Sequence, residues 1–258
     1  MQPAIRVFLA ICLAHLLGDF PLQPGFLLER KKFRWWAVGV HGSIHWILLA
    51  LCLAGFAGPL SRTAWQLFIL TICYVGLHLA IDIFRRRVFA DSIVAFLVDQ
   101  ALHLATIVGL TVCITRVDWH AVRTSVTPAE STRDLMLSGA IVYVVVVFAG
   151  GYLIRYMTRG LVPRTPSGVV GEPAEQLRNA GLYIGWLERF LIVTAVVLRS
   201  PTLIGLILTG KSIARFPEMR EPKFAEYFLI GTLLSVGIAF LGGLLLVKLW
   251  YGSISLQP

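Results

Sequence analysis

The sequence predicts an all-α, polytopic membrane protein with about seven or eight transmembrane helices. Three observations carry that expectation. The chain is 57% hydrophobic and only 14% charged over 258 residues. Its mean hydropathy is +0.77, far above that of a soluble domain. Several windows also reach the ~20 consecutive apolar residues that a helix needs to cross a bilayer. The formal net charge of +9 does not point to nucleic acid in such a chain, because Lys and Arg collect in cytoplasmic loops.

The spans follow from apolar runs and their breakers. The first covers 4–20 and stops where Pro21 and Pro24 prevent further helix. It has one positive charge and no small-residue cleavage site, so it reads as a retained helix rather than a signal peptide. The basic loop "ERKKFR" follows. The second span, 35–56, opens with Trp35 and Trp36 at the interface. The third, 64–84, is closed by Arg85, Arg86 and Arg87, and the fourth covers 92–115. Residues 116–134 are polar and of mixed charge, which predicts an extramembrane loop containing His120. The fifth span covers 135–156. "TRGLVPRTPSGVVGEPAEQ" is rich in Pro, Gly and charge and reads as a linker. Spans at 180–198, 200–216 and 224–250 follow, the middle one short enough to be tilted or re-entrant. The expected division is thus 1–115, a four-helix bundle; 116–178, loop, fifth helix and linker; and 179–258, the C-terminal helices. Cys12, Cys52, Cys73 and Cys113 all lie in apolar runs without CxxC spacing and read as small packing residues.

Lys and Arg counting orients the chain. "ERKKFR", Arg85–Arg87, the linker and the segment 211–223 fall on one side, which is the cytoplasmic one. With eight spans both termini then face away from the cytoplasm.

Chemistry enters through paired polar residues inside the apolar runs. "HLLGD" places His15 and Asp19 at the end of the first span. "HGSIH" places His41 and His45 in the second, "HLAID" places His78 and Asp82 in the third, and "DQALH" places Asp99 and His103 in the fourth. Each pair is spaced i, i+4, so its members share one helix face. That spacing lets two side chains hold one metal ion. A single such pair is most simply a polar contact between helices. Four pairs, taking up all five histidines of the spans, point instead to a metal or proton site, since ionisable groups in hydrocarbon mark function. At ~1.5 Å rise per residue, all eight lie within roughly 20 Å of the basic-loop end. The order also repeats: a helix ending in HxxxD, a basic turn, then a helix entering with (H/D)xxxH. This is the pattern of two parallel hairpins.

Five imidazoles and three carboxylates exceed the needs of one ion, so two divalent ions are expected. Zinc is the first choice, with manganese or iron also suited to N/O ligands. Asp19, Asp82 and Asp99 are the candidate catalytic carboxylates. In the second half, Glu188, Arg189, Lys211 and Arg215 are either intramembrane ion pairs or an anion clamp for substrate. No G-x-S-x-G or phosphate-loop sequence occurs.

"HLLGDFPLQ", "HLAID" and "DQALH" resemble the signature of an uncharacterised bacterial membrane family, a domain of unknown function. Longer members share "WLERFLI", "GKSIARF" and "EYFLIGTLLS", so the resemblance covers nearly the whole chain. It implies location in the bacterial inner membrane and no particular activity. More distantly, the HxxxD pairs are similar to those of inner-membrane metal-dependent hydrolases and of the zinc-dependent phospholipase C and P1 nuclease group. That resemblance implies a metal-dependent hydrolase acting on a phosphate ester or lipid headgroup at the cytoplasmic leaflet. A divalent-metal transporter uses similar ligands, and a membrane di-iron oxygenase fits HxxxH at 41–45, although no HxxHH follows.

Overall fold

The computed structural model describes residues 3–23, 25–31, 34–60, 62–115, 131–161 and 172–252. Among them all regular structure is helical. Nine helices follow one another among these residues: α1 (Pro3–Asp19), α2 (Gly25–Arg30), α3 (Trp35–Ala57), α4 (Ala64–Val88), α5 (Ile93–Ile114), α6 (Thr132–Thr158), α7 (Glu172–Val197), α8 (Pro201–Ala214) and α9 (Pro222–Tyr251). Five of these, α3, α4, α5, α6 and α9, are long and apolar enough to cross a membrane. Large apolar side chains such as Leu51, Trp65, Val94, Met136 and Leu241 stay exposed along them, as expected where the surrounding solvent is lipid. Helices α1 and α8, at 17 and 14 residues, are shorter.

Local chemistry sets the helix ends. Thr63 and Gln66 form a reciprocal capping box that starts α4. The Ser92 side chain accepts the Ala95 N–H and starts α5. Prolines sit in the first turn of α8 and α9, where their missing N–H has no partner to lose. Gly252, with φ +73°, ends α9 in the left-handed conformation.

The chain divides into two compact units, Met1–Val144 and Val145–Pro258, with the boundary inside α6. In the first unit α1 packs on α3 and α5, α3 packs on α4, and α4 packs on α5. The interior holds Val7, Ala10, Ile11, Leu49, Ile107 and Ile114. The first part of α6 also packs against α1. There Arg6 donates two hydrogen bonds to the Asp134 carboxylate, at 2.8 and 3.1 Å. Asp134 is a correction to the sequence reading, which left it in a loop. The helix starts at Thr132, and the bidentate Arg6 contact lets the carboxylate be buried. His120 and most of the polar segment around it, like most of the Pro/Gly-rich linker, lie outside the described residues.

In the second unit α7 packs on α8 and α9. The π-helical turn Val145–Ala149 interrupts the ladder of α6. The freed Val147 carbonyl accepts from Arg189 Nε at 3.0 Å and from its terminal nitrogen at 2.7 Å. Gly151 makes room for that guanidinium, since a Cβ there would stand 2.6 Å from it.

Breaking the Arg6–Asp134 pair tests the packing of α1. Arg6→Ala removes the bidentate cation from a buried carboxylate and should cost about 3 kcal/mol. The apolar double variant Arg6→Met/Asp134→Leu should recover most of that loss. Thermal unfolding in detergent measures both.

A candidate metal centre

The eight paired residues come from four helices. His15 and Asp19 lie at the C-terminal end of α1. His41 and His45 lie in the first half of α3, His78 and Asp82 in the second half of α4, and Asp99 and His103 in the first half of α5. Because α1, α3, α4 and α5 pack side by side, the four faces turn toward one another. His41, His45, His78 and His103 are at most 1% exposed, and His15 is buried as well.

Asp19 is the hub. Its Oδ1 lies 3.2 Å from His45 Nε2, 3.3 Å from His41 Nε2 and 3.6 Å from His78 Nε2. Its Oδ2 lies 3.5 Å from His15 Nε2. Asp82 forms a second pole. Its Oδ2 is 3.5 Å from His41 Nε2, and its Oδ1 is 3.8 Å from His103 Nε2. The imidazoles also crowd one another. His41 and His78 Nε2 are 3.2 Å apart, and ring centroids are separated by 4.0 Å for His45–His78 and 4.4 Å for His78–His103.

Three overlapping groups have donor atoms within 4.8 Å of one another: Asp19, His41, His45 and His78; His15, Asp19 and His103; and His78, Asp82 and His103. Such spacing suits N and O atoms that share an ion at ~2.0–2.2 Å each. Asp99 stands one step back. Its backbone carbonyl accepts from His103 Nδ1 at 2.9 Å, while its Oδ2 accepts from Gln100 at 3.1 Å. The first bond fixes the His103 tautomer and leaves Nε2 with a free lone pair turned toward Asp82. That Nε2 has no hydrogen-bond partner, nor do His15 Nδ1 and Nε2, His78 Nδ1 or Asp99 Oδ1, among the described residues. Buried polar atoms left so are costly, and a bound cation is one way to satisfy those with lone pairs.

Three supporting residues carry no His/Asp signal. Gly18, inside "HLLGD", lets the His45 ring lie against the α1 backbone, for a Cβ there would meet the ring at 2.5 Å. Gln23, inside "FPLQ", reaches the same region. With its amide oxygen facing Lys31 it accepts from that ammonium and donates to the Asp19 backbone carbonyl at 3.2 Å. The same oxygen lies 3.4 Å from His41 Nδ1, so His41 can donate there and keep Nε2 for the cluster. Lys31 donates to Asp82 Oδ2 at 2.7 Å. Burial pushes its ammonium below the usual lysine range, against the opposing pull of Asp82. Sequence reading took Lys31 as one more loop base. The signal that could have found it was its position directly between two ligand-bearing helices.

The four charges expected in the second half are partnered within their own unit. Lys211 donates to Glu188 at 2.6 Å. Arg189 is buried on the Val147 carbonyl and reaches the Ser235 hydroxyl at 3.4 Å. Arg215 pairs with Glu218 at 3.2 Å.

Residues 7–129 match the model of a family described as protein of unknown function (DUF3307). The matched segment contains all eight His and Asp residues of the cluster, together with Gly18, Gln23 and Lys31. No curated protein and no solved structure matches the chain.

Gly18→Ala is the sharpest test of this geometry. The His45 ring is enclosed and cannot swing away, so overpacking should cost about 1–3 kcal/mol. Gly109→Ala in α5, where a Cβ meets nothing within 4 Å, should leave thermal stability unchanged or slightly raised.

Proposed function

We propose that α1, α3, α4 and α5 form a four-helix metal-binding bundle in a multi-pass protein of the bacterial inner membrane, with seven or eight crossings. We further propose that this protein is a metal-dependent hydrolase of a phosphate ester or lipid headgroup at the cytoplasmic leaflet. One observation carries the reading: imidazoles from three helices, α1, α3 and α4, converge on Asp19, whose two oxygens face different rings. A carboxylate so placed suits two ions, Oδ1 serving the His41, His45 and His78 side and Oδ2 the His15 side. Zinc fits this N/O set, and manganese or iron fits it too.

Bound metal would supply an activated water and a counter-charge for the developing oxyanion. The chain supplies the rest. The histidines hold the donors in place, and the bond from His103 to the Asp99 carbonyl orients one of them. Asp99, whose Oδ1 has no hydrogen-bond partner among the described residues, is the candidate base to take a proton from water. Asp82, held by Lys31, is the carboxylate nearest the basic segments.

A divalent-metal transporter would use similar ligands, but it needs a polar path to both faces. Beyond the cluster the bundle interior is largely filled by Val7, Ala10, Ile11, Ile107, Leu110 and Ile114. The hydroxyls of Thr71 and Thr111 there donate to carbonyls of their own helices. This packing supports access from one side and favours a hydrolase. The di-iron oxygenase reading has no further observation in its favour.

Metal content tests the site. The purified protein should retain divalent metal, and His41→Ala or His78→Ala should lower the metal-to-protein ratio by about half or more. Lys211→Ala, paired within its own unit, should leave the ratio unchanged. Equal occupancy in all three variants would remove these histidines from the ligand set.

Sidedness has its own test. The basic segments 30–34 and 85–87 adjoin the ligand pairs, and positive residues favour the cytoplasm. A cysteine introduced at Arg87, in a background lacking the native cysteines, should be shielded from a membrane-impermeant thiol reagent in intact cells. Labelling from outside would reverse the topology and rule out an inner-leaflet substrate.

A further inference from the structure

Arg86 sits one turn beyond Asp82 on α4. Its Nε donates to the Asp82 backbone carbonyl at 2.9 Å. That bond fixes the guanidinium plane and commits one edge of it to the helix end. Both terminal nitrogens of Arg86 are buried, and neither has a hydrogen-bond partner among the described residues. The nearer lies 3.9 Å from Asp82 Oδ2, beyond hydrogen-bond reach. Arg85 Nε is buried and unpartnered in the same way. Across the site stands Lys31, whose side chain is 1% exposed and whose ammonium is bonded to that same Asp82 Oδ2. An arginine that merely capped α4 would turn its terminal nitrogens to solvent. Buried N–H groups without an acceptor are expensive, and they imply one that is absent here.

The missing acceptor has a definable chemistry. A planar fork with free N–H groups matches oxygens of a phosphate or carboxylate, and an ammonium beside it adds charge without restricting shape. A tetrahedral phosphate offers more acceptor oxygens than a carboxylate, in more directions. It can therefore serve the Arg86 fork and Lys31 together while one oxygen faces the His/Asp cluster. Asp82 is slightly more exposed than Asp19, at 14% against 11%.

We propose that Lys31 and Arg86 form an anion subsite at the Asp82 edge of the cluster, and that it receives the phosphate group of the substrate. The inference rests on the metal-site reading for its catalytic meaning, but the subsite itself is defined by the terminal nitrogens of Arg86, which have no hydrogen-bond partner among the described residues. The phosphate can come from a lipid headgroup or from a soluble ester, since both present the same oxygens.

The test uses the full chain, purified in detergent with its metal, and inorganic phosphate as probe. Binding is followed by calorimetry, and metal content is measured on the same samples. Arg86→Gln should weaken phosphate binding at least about tenfold, the worth of one charge-assisted fork, without loss of metal. Arg87→Gln, an exposed neighbour, should bind as the parent does. Arg86→Gln binding phosphate as tightly as Arg87→Gln overturns the proposal. Should Arg86→Gln not fold, Arg86→Lys decides: it keeps the charge but not the fork, so affinity should fall about threefold or more, and unchanged affinity overturns the subsite.

Metal analysis keeps the two readings apart. Metal retained with phosphate binding indifferent to Arg86 removes the subsite and leaves the metal site. Phosphate binding that depends on Arg86 in a protein without metal keeps the subsite and removes the metal reading. Competition then identifies the source. Displacement of phosphate by phosphatidate in mixed micelles, and not by glycerol phosphate, assigns a lipid headgroup; the reverse assigns a soluble ester. Either result upholds the subsite.

Discussion

Five imidazoles around the Asp19 carboxylate, inside helices that are otherwise apolar, are the constraint on which the first unit depends. In water such groups would be hydrated at little cost. In an apolar interior each must find a partner or remain a penalty. The four helices are therefore held to a register in which their polar faces coincide. Small residues make that register possible. Gly18 admits the His45 ring, and Gly42 allows α3 to approach Leu79 of α4, where a Cβ would stand at 2.9 Å. The apolar layers beyond the cluster can then close tightly, with Ala10, Ile11, Leu49 and Ile107 fully or almost fully buried.

Charge is arranged outward from that hub. Asp19 lies against four imidazoles, with the Gln23 amide on its own backbone. Asp82 divides its contacts between two imidazoles and the ammonium of Lys31. Asp99 is bound by its neighbour Gln100 and supports His103 through the main chain. Three carboxylates in one cluster thus have three different surroundings. Such differences are what let like groups take separate roles as ligand, bridge or base. Among the described residues, Lys31 and Arg86 are the bases that approach Asp82.

Much of this was legible in the sequence because the helix period is rigid. The i, i+4 pairs at 15/19, 41/45, 78/82 and 99/103 had to share faces, and the apolar runs around the last three had to be helices long enough for a bilayer. The all-helical class followed from the same runs. What was not legible depended on contacts between residues far apart in the chain. Lys31 looked like any loop base, because nothing local marks a lysine that folds back onto a carboxylate 51 positions away. Gln23 and Gly18 act through what they touch rather than through their own chemistry. Asp134 was assigned to a loop because it ends a polar segment of mixed charge, whereas Arg6 pairs with it 128 residues distant. The charges at Glu188 and Lys211 likewise gave no sign of whether they faced each other or a substrate until α7 and α8 were placed side by side.

X-ray absorption on the protein loaded with zinc is the most direct measurement of whether the cluster is a metal centre. The cluster predicts a first shell of nitrogen and oxygen only, at ~2.0–2.2 Å, with outer-shell scattering from several imidazoles. A second zinc at ~3.5–4 Å would mark a paired site. The four cysteines offer a built-in alternative. A sulfur shell at ~2.3 Å, or scattering without imidazole contributions, would contradict the assignment of His15, His41, His45, His78 and His103 as ligands.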